Sequence, residues 1–230
     1  MLDTSAGRWV LDRAYEGYKR VIEARNVEQL GHYVMPGTVV VDVGANIGFF
    51  TDRFARWVGP GGRVLAIEPE AVNFTRLQRR IMSGGFSDRV ELVRAAACDR
   101  TETVLLNINP DHPGDHRLSN RGVPVRGLTL DELIADHGWR TVSLIKIDVQ
   151  GAEMRVLTGA RELLNRFRPA LFVEIDDAAL RAYTSSAAAL IELLTALGYK
   201  PHRLHRNATA QSIEPRALLQ LVAEPGSGSV

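Results

Sequence analysis

The stretch TVVVDVGANIG, residues 38–48, restricts the fold of this chain more than any other segment. Its valines run without the apolar–polar alternation of a half-exposed strand, the pattern of a strand covered on both faces in a parallel sheet. Glycine ends the run, and Ile47, Phe50, Phe54 and Trp57 continue at helical spacing. A strand of this kind needs a crossover to reach a parallel neighbour, so the segment implies an α/β chain.

The alternation continues. GPGGR closes the first helix, RVLAIEP reads as a second strand, and Phe74, Leu77 and Ile81 mark a second helix that stops at Ser83-Gly84-Gly85. RVELVRAA is expected as the third strand, then TETVLLNI and GVPVRGL as two more, separated by the polar loop NPDHPGDHRLSNRG. A helix is predicted over Leu130 to His137, a buried strand at VSLIKIDV, a helix from Glu153 to Asn165 broken at Gly159, and a strand at RPALFVEID. Leu190, Leu193, Leu194 and Leu197 stripe one further helix. From Tyr199 two antiparallel strands are expected, the second near residues 217–222. The reading is an open, doubly wound, mostly parallel sheet with helices on both faces, which binds ligands at the carboxyl ends of its strands. Its domain spans residues 36–224. It is preceded by a helical extension over 1–35, seen in the spacing of Val10, Ala14, Gly17 and Val21, and followed by a flexible tail at 225–230.

Composition narrows the function. Lys plus Arg number 28 against 27 Asp plus Glu, and the net charge of +1 gives no field for nucleic acid or an anionic membrane. No apolar run approaches the roughly 20 residues of a membrane span. Cys98 is the single cysteine, and MLDTSAGRWVLDRAYEG carries acids where an export signal has a basic region, so the cytoplasm is the expected compartment. Cys98 itself reads as a small buried filler.

The chemistry gathers at the strand ends. Gly44 allows a tight turn where a Cβ would crowd a ligand, and Gly48 lets the backbone come close at the helix N-terminus. A dinucleotide fingerprint would carry glycine where this chain has Asn46, which disfavours an NAD-dependent oxidoreductase. Asp42 would repel a pyrophosphate; it is placed to accept hydrogen bonds from a ligand ammonium, to orient the loop, or to cap the turn. Glu68, twenty residues beyond Gly48, stands where an acid meets the hydroxyls of an adenosine ribose. Together they indicate an adenosine that bears a cation.

These segments, from Val39 to Ile175, resemble the FkbM family of S-adenosylmethionine-dependent methyltransferases. VDVGANIGFFT, AIEPEAVNFTRL, RAAACDRTETV, GDHRL, LTLDEL, IKIDVQGAEMRVLTGA and LFVEI carry the resemblance in order. It implies a seven-stranded class I methyltransferase sheet of Rossmann-like type, S-adenosylmethionine as cofactor, and methylation of a hydroxyl on a sugar, polyketide or other secondary metabolite. It also implies cofactor contacts at Asp42, Gly44, Asn46, Gly48 and Glu68, with the adenine near Ala96 and Ala97.

Asp148 emerges at the ligand end of its strand as a general base, a metal ligand or a cap for the helix of Glu153. Lys146 shares its face and is placed to pair with it. An alcohol needs its proton drawn away, and His116 in GDHRL is the second candidate base, with Asp115 to orient its imidazole and Arg117 to hold a polar acceptor. The loop is expected to fold over that acceptor. Glu174 is read either as an acceptor-pocket residue or as an exposed strand end. No metal is expected. The N-terminal helices are placed to cover the pocket or to pair protomers as a homodimer. An amine acceptor and a noncatalytic cofactor-binding protein are the alternatives. Calorimetry should show binding of S-adenosylmethionine and S-adenosylhomocysteine but not NAD, and Glu68→Ala should weaken it by about 1–3 kcal/mol, the cost of unpairing buried polar groups.

Overall fold

The computed structural model describes residues 28–110, 114–135, 137–139, 141–203 and 219–225. The expected N-terminal helix and C-terminal tail lie outside these. The strands are β1 (Val39–Val43), β2 (Arg63–Ile67), β3 (Val90–Val93), β4 (Ala96–Ala97), β5 (Glu102–Asn107), β6 (Arg117–Ser119), β7 (Val123–Leu128), β8 (Val142–Ile147), β9 (Ala170–Ile175), β10 (Tyr199–Arg203) and β11 (Leu219–Pro225). The helices are α1 (Phe49–Val58), α2 (Ala71–Gly84), α3 (Leu130–Ala135), α4 (Glu153–Thr158), α5 (Arg161–Phe167), α6 (Asp177–Ala182) and α7 (Ala187–Ala196).

Seven strands form one sheet in the order β10-β11-β9-β8-β1-β2-β3. β1, β2, β3, β8 and β9 are parallel, and β11 runs antiparallel to both β9 and β10. All five residues of β1 are buried, and its alternation divides them between two cores. Val39, Val41 and Val43 pack with Leu157, Leu164 and Leu190, whereas Val40 packs with Phe54, Leu77 and Ile81. Leu30 and Val34 join the second core just before and after a 3₁₀ turn at Gly31–Tyr33. The chain leaves β1 for β2 on one side and reaches β8 on the other, so the switch point of the sheet lies at the carboxyl ends of β1 and β8.

The structure departs from the sequence reading in three places. RVELVRAA is two strands, because the Ala95 N–H turns back onto the Val93 carbonyl and sends the chain out of the sheet. β4 then belongs to a second sheet of order β4-β7-β5-β6. The polar segment expected to be a loop contains β6, whose Leu118 pairs with Leu106 of β5 in antiparallel register. Its polarity reflects an edge strand with one face to solvent. α6 was not anticipated from its spacing, although Asp176 caps it by accepting the N–H groups of Ala178 and Ala179.

The second sheet docks on the main one through backbone packing at Gly159, the break between α4 and α5. A Cβ on Gly159 would lie 2.0 Å from the Cys98 carbonyl oxygen. Arg155 reinforces the joint with bonds to Asp99 at 2.5 Å and Glu102 at 2.6 Å. Gly159→Ala should therefore lower stability by about 1–3 kcal/mol, the usual cost of overpacking. Thermal unfolding measures this directly.

Candidate functional site

A cleft opens at the switch point, where open α/β sheets bind their ligands. Of the residues singled out in the sequence, Gly44, Asn46, Glu68, Ala96, Ala97, His116 and Asp148 line it. Pro69, Asn73, Ala95, Gly114, Leu118 and Gln150 complete much of the wall.

The glycine turn is built by sterics inside the protein. Gly44 has φ +75°, and a Cβ there would lie 1.9 Å from the Asp148 carbonyl oxygen, so the close approach that demands glycine is to the backbone after β8. Gly48, at φ +85°, is displaced from the cleft. Its Cβ would meet Leu77 Cδ1 at 2.7 Å, and the approach it permits is helix α2 rather than a ligand. Asn46, at φ +50°, turns its N–H onto Glu68 Oε2 at 2.8 Å.

Glu68 is 5% exposed, and its other oxygen accepts the Glu70 N–H at 2.9 Å. Burial pushes its carboxyl up to about 7 against these backbone donors. Glu70, which the sequence reading missed, caps α2 by accepting the Val72 and Asn73 N–H groups. A Glu-Pro-Glu run immediately before a helix was the available signal.

Beneath the turn Asp42 is fully buried and absent from the cleft wall. The direct ligand contact expected of it is replaced by an internal one. Asp42 Oδ2 accepts the Thr51 hydroxyl at 2.6 Å, and Oδ1 lies 3.3 Å from Lys146 Nζ. Burial pulls the Lys146 ammonium down, but Asp42, Asp148 and Glu174 together carry it above its ordinary value. Asp148 also pairs with Lys146, at 3.7 Å, as its position in the strand suggested, and Gln150 Nε2 donates to its Oδ1 at 3.0 Å. Glu174 is buried in β9 and acts electrostatically on Lys146, without lining the cleft. The exposed strand end is corrected by this placement.

The cap reading of Asp148 also fails, since the N-cap of α4 is Ala152. Glu153 instead accepts the Val149 and Gly151 N–H groups through Oε1 and shapes the turn at Gln150 and Gly151, both at positive φ. Its Oε2 is buried without a hydrogen-bond partner, and burial pushes the carboxyl up to about 7. Among the described residues no group of three or more His, Cys, Asp or Glu side chains is arranged to hold a metal. Cys98 is buried, with its thiol pushed up to about 11 by desolvation.

Strand alternation sorts the GDHRL segment. His116 and Leu118 face the cleft, while Asp115 and Arg117 are absent from its wall and pair with each other at 2.7 Å. The imidazole is therefore oriented by other groups. Its Nδ1 accepts the Asn109 N–H at 3.1 Å, and its Nε2 lies 4.0 Å from Glu70 Oε2. With Nδ1 occupied as an acceptor, the neutral ring carries its proton on Nε2. Burial draws its pKa below the usual value, opposed by Glu70 and Asp115. A neutral His116 donates here, and accepting a proton would break the Asn109 bond.

The sheet order and the cleft at its switch point define a Rossmann-like class I methyltransferase fold. Residues 42–201 match the methyltransferase FkbM domain, and the chain belongs to the FkbM family of S-adenosylmethionine-dependent methyltransferases. It is 27% identical over 177 residues to the 31-O-demethyl-FK506 methyltransferase FkbM of Streptomyces tacrolimicus, covering 63% of this chain and 68% of that protein. It is 25% identical over 181 residues to the 2-O-methyltransferase NoeI of Sinorhizobium fredii, covering 69% and 72%. The crystal structure of methyltransferase FkbM from Methylobacillus flagellatus superposes with a TM-score of 0.55 at 22% identity. That likeness covers 83% of this chain and 44% of the other, so the chain spans less than half of that protein.

The two raised carboxyls bear on stability. Between the ordinary value of 4.5 and about 7, native Glu153 retains a proton that the unfolded chain has lost, so stability falls as pH rises through that window. Glu153→Gln removes this term. The variant should gain on the native protein, by on the order of 3 kcal/mol between about pH 5 and about pH 8, in denaturant titrations at each pH.

Proposed function

We propose that this protein methylates a hydroxyl of a small molecule, with Asp148 as the base. The observation that carries the reading is the setting of Asp148. Its side chain is 21% exposed at the cleft wall, and Lys146 and Gln150 hold it. Glu68, the other acid on that wall, is committed to two backbone donors. The hydroxyl chemistry named for the 31-O-demethyl-FK506 methyltransferase and for NoeI supports oxygen as the acceptor atom.

The residues present suit S-adenosylmethionine. Glu68 keeps lone pairs for the ribose hydroxyls after accepting one N–H at each oxygen. Ala96 and Ala97 offer a small apolar wall for the adenine, and Gly44 and Asn46 border the amino-acid tail. When bound, the cofactor supplies a methyl group that is already activated, so the protein has to align the acceptor and take its proton. Asp148 receives that proton, and His116 donates from Nε2 to orient the bound groups. Asp42 supports the turn from below. A cytoplasmic location is supported by the lone buried thiol, and no described helix is long and apolar enough to cross a membrane.

Formation of S-adenosylhomocysteine against a panel of sugar and polyketide alcohols, with matched amines, identifies the acceptor class. Asp148→Asn should lower turnover about 10²–10⁴-fold while keeping S-adenosylhomocysteine affinity, as for loss of one general base. Full turnover in that variant, or methylation confined to amines, would overturn the reading.

A further inference from the structure

Lys146 contacts Asp148 but touches no reacting group in the chemistry just described, yet it occupies an expensive place. It lies in the middle of the parallel sheet with 2% of its side chain exposed, where an ammonium is tolerated only with close partners. Asp42 alone would neutralise it, and the Thr51 hydroxyl completes that pair from the other carboxylate oxygen. The ammonium nevertheless reaches two further groups that border the cleft. Nζ donates to the Gly44 carbonyl at 2.7 Å and lies 3.7 Å from Asp148 Oδ2, with the Val43 carbonyl at 3.4 Å and the Phe50 ring centroid at 5.2 Å. Asp42 and the Val43 and Gly44 carbonyls satisfy the three donors of a buried ammonium, so a purely structural lysine would have no need of the half-buried Asp148.

On the methyl-transfer reading above, we infer that Lys146 is a positioning residue: one ammonium ties the glycine turn to Asp148 and fixes that carboxylate toward the cleft, beside the donor's cation. Other charges bear on the arrangement. Asp42 on β1, Glu174 on β9 and Glu68 beyond β2 act on Lys146, and Glu153 on α4 acts on Asp148. The cluster is acidic on balance around one base, which suits a sulfonium.

The test compares two probes. S-adenosylmethionine carries a sulfonium and S-adenosylhomocysteine a neutral thioether, so their affinity ratio reads the fixed charge beside the sulfur and cancels losses common to both. Calorimetry at constant pH, near 8, gives the ratio for the native protein, Lys146→Met, Lys146→Arg and the double variant Asp42→Asn/Lys146→Met. The double variant removes the buried charge with its partner and leaves the net charge of the trio unchanged, so it carries the test where Lys146→Met fails to fold. Its preference for the sulfonium should fall about 2–5-fold, the worth of one part-exposed charge pair. Lys146→Arg, which restores a cation, should recover most of the preference. The fall should vanish when Asp148→Asn is the background. Equal weakening of both ligands, or a fall that persists without Asp148, would overturn the inference. Failure of the native protein to bind either ligand would instead strike the cofactor reading.

Discussion

Burial of β1 on both faces is the constraint from which the site follows. A strand with all five residues covered has parallel neighbours on either side, and here the chain takes β2 on one side and β8 on the other. The cleft lies where the segments after β1, β2 and β8 leave the sheet. Gly44 marks its floor because β1 and the segment after β8 leave the sheet side by side, too close for a Cβ. The same crowding brings Asp42, Lys146 and Asp148 to one point. The strand that holds the fold together therefore also sets the electrostatics of the site.

Around that floor each acid is given a different environment. Asp42 is buried with a hydroxyl and an ammonium. Glu68 is buried on backbone donors, with its carboxyl raised by desolvation. Asp148 is held by side chains and keeps contact with the cleft. Chemically similar residues thus separate into a supporting group, an acceptor of backbone hydrogen bonds and a carboxyl group at the wall held by side chains, and burial with partner type makes the division. The second sheet closes the opposite wall. β6 turns His116 and Leu118 inward, and the Tyr183 hydroxyl anchors it by donating to the Leu118 carbonyl.

Much of this was legible in the chain. The apolar run of β1, the glycine turn, the helix after it, and the acids at the ends of β2 and β8 are local patterns, and local periodicity determines them whatever the rest of the protein does. The mostly parallel sheet, the break at Gly159 and the pairing of Lys146 with Asp148 are of this kind, whereas the seven strands were implied by the family resemblance. Glu68, Ala96, Ala97, Asn46 and Asp148 could be placed at the ligand side because carboxyl ends of parallel strands share one edge of the sheet.

Tertiary structure decided the rest, because it depends on which distant segments meet. Whether Asp42 faces a ligand or an internal ammonium is settled by the pairing of β1 with β8, which sets Lys146 opposite it. Gly48 is required by its left-handed backbone, and the neighbour it lets approach is Leu77, a residue of another helix. His116 acts as a donor because the Asn109 N–H occupies its Nδ1, and its face of the chain is fixed only when β6 pairs with β5. Asp115 and Arg117, adjacent in sequence to the imidazole, are absent from the cleft wall and pair with each other. Sequence specified which chemical groups reach the edge of the sheet, while strand pairing and burial assigned their partners and their charges.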